Sequence, residues 1–190
     1  MMGRLKILQI IGGGEFGGAE EHLLTLAKHI NPREFEVHAA CFFPRPLADR
    51  LRECGLPVHV FPMRSKTDLK PVGQIEALIR KEGFHIIHTH GVRANFIGRL
   101  AARRAGRVPV VTTVHSVLAF DYPVLLDRWV NTLTERFTRG LTERFITVSE
   151  TLHRYVVSTG IPPEKVTAIH TGLDLEKYNP AISGGPVRQE

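Results

Sequence analysis

Leu5-Lys6-Ile7-Leu8-Gln9-Ile10-Ile11-Gly12-Gly13-Gly14-Glu15-Phe16-Gly17-Gly18-Ala19-Glu20 joins a short apolar run, a glycine-rich turn and the opening of a helix. The run from Leu5 to Ile11 is rich in Ile and Leu and is interrupted only by Lys6 and Gln9, as expected of a strand buried on both faces. Three glycines then let the backbone turn sharply, and Gly18 starts a segment that continues Glu21-His22-Leu23. The same unit recurs along the chain. Strands are predicted at Leu5 to Ile11, Glu36 to Phe43, Val58 to Phe61, His85 to Thr89, Val110 to Val114, Phe145 to Val148 and Val166 to Ile169. Helices are predicted to begin near Gly18, Pro46, Pro71, Val92, Tyr122 and Glu150, several on a residue suited to a helix start. Asn31-Pro32, Gly55-Leu56-Pro57, Gly83 and Gly106 close the first four of them. Strand alternating with helix in this way predicts an α/β fold, a doubly wound, mostly parallel sheet with helices on both faces.

Composition is consistent with that fold. The chain has 190 residues, 43% hydrophobic and 23% charged, which suits one globular domain and no long disordered tract. A chain of this size buries about 70% of its extended surface, so a core forms without staples. Cys41 lies in an apolar run and Cys54 beside Gly55; neither has metal-ligand spacing, and both read as small hydrophobes in a reducing compartment. The N-terminal apolar run ends in glycines too early for a leader, and Val108 to Phe120 is too short and polar to span a bilayer. A cytoplasmic location is therefore expected. Net charge is +6. No Asp or Glu occurs from Gly83 to Phe120, a stretch that holds Arg93, Arg99, Arg103, Arg104 and Arg107. Such a basic stretch is either a solvated helix face or a surface for an anionic substrate or an anionic membrane. Nucleic acid is not expected, because no recognition motif accompanies the charge.

Gly12-Gly13-Gly14-Glu15-Phe16-Gly17 is a literal G-x-G-x-x-G between a strand and a helix, which on its own suggests a dinucleotide. The acidic residue that would hold a ribose at the end of the second strand is missing, since that strand ends Cys41-Phe42-Phe43. What remains is a loop whose Gly17-Gly18 backbone could approach a phosphate at a helix N-terminus. His88 and His90 share one face of the fourth strand, and His85 precedes them. No nearby carboxylate completes a metal shell, so no metal is expected. Gly91 follows His90, and Arg93 and Asn95 lie in the first turn of the next helix, a setting suited to an anion. His115 follows the fifth strand, at the carboxyl edge where open α/β sheets bind ligands. Ser149 follows the sixth, as a helix N-cap rather than a hydrolase nucleophile, because no G-x-S-x-G surrounds it. The segment Tyr122 to Arg139 combines Trp129, Val130, Leu133 and Phe137 with Arg128, Arg136 and Arg139; a core-facing helix is the preferred reading, an interfacial helix on anionic lipid the other.

Lys6-Ile7-Leu8, Gly17-Gly18-Ala19-Glu20, Ile87-His88-Thr89-His90-Gly91, Thr113-Val114-His115, Val148-Ser149-Glu150 and Ile169-His170-Thr171-Gly172-Leu173-Asp174, in this order, resemble the N-terminal domain of GT-B glycosyltransferases of family 4. The resemblance implies two Rossmann-like domains, acceptor mainly on the first and nucleotide-sugar donor mainly on the second, with sugar transfer that retains configuration and needs no metal or other cofactor. It implies that residues 1–174 form the acceptor-binding domain and 175–190 begin a linker or tail, the donor-binding domain being absent from this chain. By the same resemblance Gly17 and Gly18 approach the donor diphosphate, His115 is the catalytic-site residue beside the donor sugar, and His90, Arg93 and Asn95 lie towards a carbohydrate or lipid-linked acceptor. Thr171-Gly172 stands where the family commonly has Asn-Gly. The second domain's carboxylate pair and its basic diphosphate ligand are missing, so the chain alone is expected to be inactive. The acid-free Arg stretch and the Tyr122 to Arg139 segment together suggest peripheral contact with an anionic inner membrane face. Two other functions fit parts of the sequence. One is a stand-alone binding module that takes an anionic sugar or lipid headgroup through Arg93, Arg99 and Arg103; the other is an NAD-dependent oxidoreductase.

Overall fold

The computed structural model describes residues 3–65, 67–117 and 125–172. Strand and helix alternate from the start: β1 (Leu5–Ile11), α1 (Gly18–His29), β2 (Phe35–Cys41), α2 (Leu47–Glu53), β3 (Val58–Val60), α3 (Lys70–Glu82), β4 (Ile86–His90), α4 (Val92–Arg104), β5 (Val110–Val114), α5 (Leu125–Thr138), β6 (Arg144–Thr147), α6 (Glu150–Ser158) and β7 (Val166–Ala168). The strands form one sheet in the order β3-β2-β1-β4-β5-β6-β7, and every pairing is parallel. The strand order reverses between β1 and β4, which places a crevice outside their carboxyl ends. The start expected near Tyr122 and the domain boundary expected at Asp174 lie outside the described residues.

Alternation along the strands builds two core layers. Leu8, Ile10, Ala40 and Ile87 pack on one face with Val72, Ile75 and Ile79 of α3 and Ala94, Ile97 and Ala101 of α4. Ile11, Ala39 and Cys41 point the other way, onto Leu23 and Leu24 of α1 and Leu47 and Leu51 of α2. Burial pushes the Cys41 thiol up to about 12, so this cysteine is an inert core residue. Gly98 lets α4 lie directly on the sheet: a Cβ there would come within 2.6 Å of Thr89 Cγ2 and 3.0 Å of Ile10 Cδ1.

α5 departs from the preferred expectation. Its Leu125, Trp129, Val130 and Phe137 are exposed, Phe137 at 81%, while Glu135 and Thr138 turn inward. The reason is Arg99 of α4, which is fully buried. Its guanidinium donates to Glu135 Oε2 at 2.5 Å and to the hydroxyls of Thr142, Thr138 and Thr112 at 2.7, 3.1 and 3.3 Å. A buried guanidinium needs a carboxylate and acceptors for its remaining N–H groups. α5 meets that need with its polar side, and its apolar side is left facing outward.

Candidate active site

The glycine-rich turn, the end of β4 and the residue after β5 converge at the carboxyl edge of the sheet. Gly13 and Gly91 occupy the left-handed region with φ of +79 and +83, the conformation that favours glycine. Gly17 and Gly18 are different. Gly17 has an extended φ of −137, a Cβ on it would meet only Glu20 Oε2 at 3.5 Å, and a Cβ on Gly18 would meet nothing within 4 Å. Neither conformation nor packing in this chain demands glycine at these two positions, which leaves bare backbone beside the first turn of α1. The Gly17 N–H donates to Glu20 Oε2 at 3.1 Å. The first-turn amides that follow lack intrahelical partners and carry the positive end of the helix dipole.

Behind this turn stands a cluster of four histidines. His88 and His90 share a face of β4 as expected, with ring centroids 4.4 Å apart, and His22 of α1 lies 5.2 Å from His115 and 6.1 Å from His90. His90 is buried; its Nε2 is 2.8 Å from Gln9 Oε1 and its Nδ1 3.0 Å from His115 Nε2. His88 Nε2 lies 2.7 Å from Thr113 Oγ1. Burial, reinforced by the neighbouring imidazoles, pushes His88 down to about 3 and His115 down to about 4, and holds His90 well below the usual histidine range. Burial lowers His22 as well. These rings are neutral at physiological pH and act as hydrogen-bonding groups rather than cations. His85 sits at the other end of β4, where its Nδ1 accepts from the Lys6 N–H at 2.9 Å, and takes no part in the cluster.

His115 forms one wall of a cleft of about 510 Å³ between α4, α5 and α6, which Ala19, Asn95, Glu135, Arg136, Arg139 and Tyr155 also line. Asn95 donates through Nδ2 to Glu135 Oε1 at 3.0 Å, and its buried Oδ1 has no hydrogen-bond partner. Of the residues singled out in the sequence, His115 and Asn95 face this cleft. His90 lies one hydrogen bond behind His115, and Arg93 is half-buried in the first turn of α4, outside the cleft lining. Ser149 is an N-cap, its Oγ accepting from Leu152 N at 3.2 Å. An anion site built jointly on Arg93, Arg99 and Arg103 is not formed, because Arg99 is enclosed with Glu135. Gln9 adjoins the histidine cluster, His22 is part of it and Glu135 lines the cleft without having been singled out, and Arg139, read only as part of the Tyr122 to Arg139 segment, lines the cleft as well. Gln9 alone left a signal, as a polar residue inside an apolar strand.

A doubly wound, all-parallel sheet with bare glycine backbone and neutral histidines at the carboxyl edge, beside the topological switch point, is a Rossmann-like domain with a candidate site where such sheets bind ligands. Residues 16–177 match the family described as Glycosyltransferase Family 4, and the chain belongs to that family. It is 30% identical over 167 residues to the Escherichia coli UDP-Gal:alpha-D-GlcNAc-diphosphoundecaprenol alpha-1,3-galactosyltransferase, over 83% of this chain and 42% of the relative. It is 24% identical over 188 residues to D-inositol 3-phosphate glycosyltransferase 1 of Catenulispora acidiphila, over 89% of this chain and 44% of that protein. The chain thus spans less than half the length of these relatives. Among solved structures, Anabaena HepE in complex with UDP-glucose superposes with a TM-score of 0.76 at 23% identity, over 98% of this chain and 49% of HepE. Among the described residues no helix is long and apolar enough to cross a membrane.

Proposed function

We propose that this chain is the acceptor-side half of a retaining glycosyltransferase that moves a hexose from a nucleotide-sugar donor to a carbohydrate or lipid-linked acceptor, without a metal or other cofactor. The observation that carries this reading is the bare backbone of Gly17 and Gly18 at the start of α1, whose next residue, Ala19, lines the same cleft as His115. Glycines that neither conformation nor packing requires leave room for a bulky anion to approach the α1 amides. In this reading the donor diphosphate lies against Gly17 and Gly18 and the donor sugar against His115. The acceptor enters the cleft beside Asn95, with Arg93 near its rim and His90 supporting His115 from behind. Groups that stabilise the leaving diphosphate come from a second domain beyond residues 175–190, and the chain by itself does not turn over. The relative that uses UDP-Gal and a diphosphoundecaprenol acceptor makes a lipid-linked acceptor the favoured class.

The test is turnover of a panel of UDP-sugars by the protein extended through its second domain. His115→Ala and Gly18→Val are expected to lower turnover at least tenfold in protein that still folds; Gly18→Val should melt close to the parent, and His115→Ala somewhat lower, because the enclosed His90 Nδ1 loses its partner. Unchanged kinetics in both variants would remove the cleft edge from the site.

The outward face of α5 supports a second part of the proposal, a peripheral contact with an anionic membrane. Trp129, Val130 and Phe137 lie on the exposed side of one helix, with Arg136 exposed beside Phe137. Aromatic and aliphatic side chains flanked by arginine suit the boundary between headgroups and acyl chains. A Trp129→Ser, Phe137→Ser double variant should fold normally and lose sedimentation with phosphatidylglycerol vesicles at low salt. Equal sedimentation of parent and variant would rule out this face.

A further inference from the structure

Gln9 is 1% exposed on a strand whose neighbours are apolar, and its side chain must therefore find partners inside the protein. Its Oε1 lies 2.8 Å from His90 Nε2. A carbonyl oxygen only accepts, so the proton of His90 resides on Nε2. A neutral imidazole has one N–H, which makes His90 Nδ1 a lone pair. The atom facing that lone pair at 3.0 Å is His115 Nε2, which must then be the donor. We infer that Gln9, acting through His90, is a positioning residue that fixes His115 as its Nε2–H tautomer and leaves Nδ1 to accept a hydrogen bond from a ligand in the cleft.

Several observations support the direction of this relay. His90 is enclosed, so water does not compete for either nitrogen. The depressed proton affinities of His90 and His115 keep both rings in the neutral form that the relay needs. β1 and β4 are paired in register, Gln9 beside His88 and Ile11 beside His90, so the strand ladder itself brings the amide to the ring.

The relay defines the chemical class of the group that His115 can recognise. A lone pair at Nδ1 attracts a hydroxyl or an N–H and repels a fully ionised phosphate oxygen. His115 therefore selects a sugar hydroxyl, and the diphosphate is left to the backbone amides of α1. The choice of ligand rests on the transferase reading above, whereas the tautomers are a property of this chain whatever it binds.

Long-range hydrogen–nitrogen correlation spectra of the chain labelled with nitrogen-15 histidine, recorded near neutral pH, test the relay. His90 and His115 are both expected to show a protonated Nε2 and an unprotonated Nδ1. A proton on Nδ1 of either ring would overturn the inference, since Gln9 would then be presenting its amide nitrogen. In a folded Gln9→Leu variant His115 should shift from a single tautomer to an average of two. A His115 that stays fully Nε2–H in that variant would show that Gln9 only fills space. Should Gln9→Leu fail to fold, Gln9→Met, closer in length, repeats the comparison, and the parent spectrum decides the tautomers without any variant. Failure of the longer protein to turn over a donor would sink the transferase reading and leave these assignments standing.

Discussion

His88, His90 and His115 are kept neutral by burial, and this ties the stability of the domain to pH. Their folded proton affinities lie below the unfolded value of about 6.5, so between that pH and their folded values the unfolded chain binds more protons. Stability is full above about pH 6.5 and falls as the solution is acidified towards the folded values of about 4 for His115 and about 3 for His88. The slope is on the order of 1 kcal/mol per pH unit for each histidine. Melting temperature should therefore drop between pH 6.5 and 4.5, above the range in which the paired carboxylates Glu36 and Glu82 begin to protonate. A melting temperature that is flat across that interval would show that the rings are not buried as described. At this scale the sequence was partly readable. His115, which follows a strand, and Asn95, in the first turn of a helix, are placed by local signals at the cleft they line. Glu135 is not, because it lies 36 residues from the Arg99 it balances and nothing local marks the pair.

α4 shows what one small residue permits. With Gly98 against Thr89 and Ile10, the helix approaches the sheet more closely than any side chain would allow. Gly98→Ala gains helix propensity but forces a methyl group into a 2.6 Å contact, and overpacking of this kind costs about 1–3 kcal/mol. A fall in denaturation midpoint with little change in slope is expected; an unchanged or higher midpoint would show that the helix relaxes outward without cost. Strand and helix placement was largely legible, because alternation and glycine punctuation are local signals. β1 and β5 have the expected bounds, whereas β2 starts at Phe35 and stops at Cys41, since Phe42 N leaves the ladder for the carbonyls of Ile11 and Gly12. The orientation of α5 was not legible. An amphipathic repeat states that two faces differ, and which of them turns inward depends on the partner, here a buried arginine.

Across the whole sheet, stability is expected to be graded from centre to edge. β1 is paired with β2 over its whole length and with β4 from Ile7 to Ile11, whereas β3 and β7 are short and pair on one side only. Short edge strands also discourage edge-to-edge aggregation. Amide exchange should accordingly be slowest in β1 and β4 and fastest in β3 and β7; an edge strand protected as strongly as β1 would contradict this ranking. The candidate site lies at the carboxyl ends of the central strands β1, β4 and β5, away from the short edge strands. Glu135 binds Arg99 in the core through one oxygen and Asn95 at the cleft through the other. Force applied to Asn95 by a docking molecule is therefore delivered to the Arg99 anchor, so α4 and α5 should swing as one lever instead of sliding past each other.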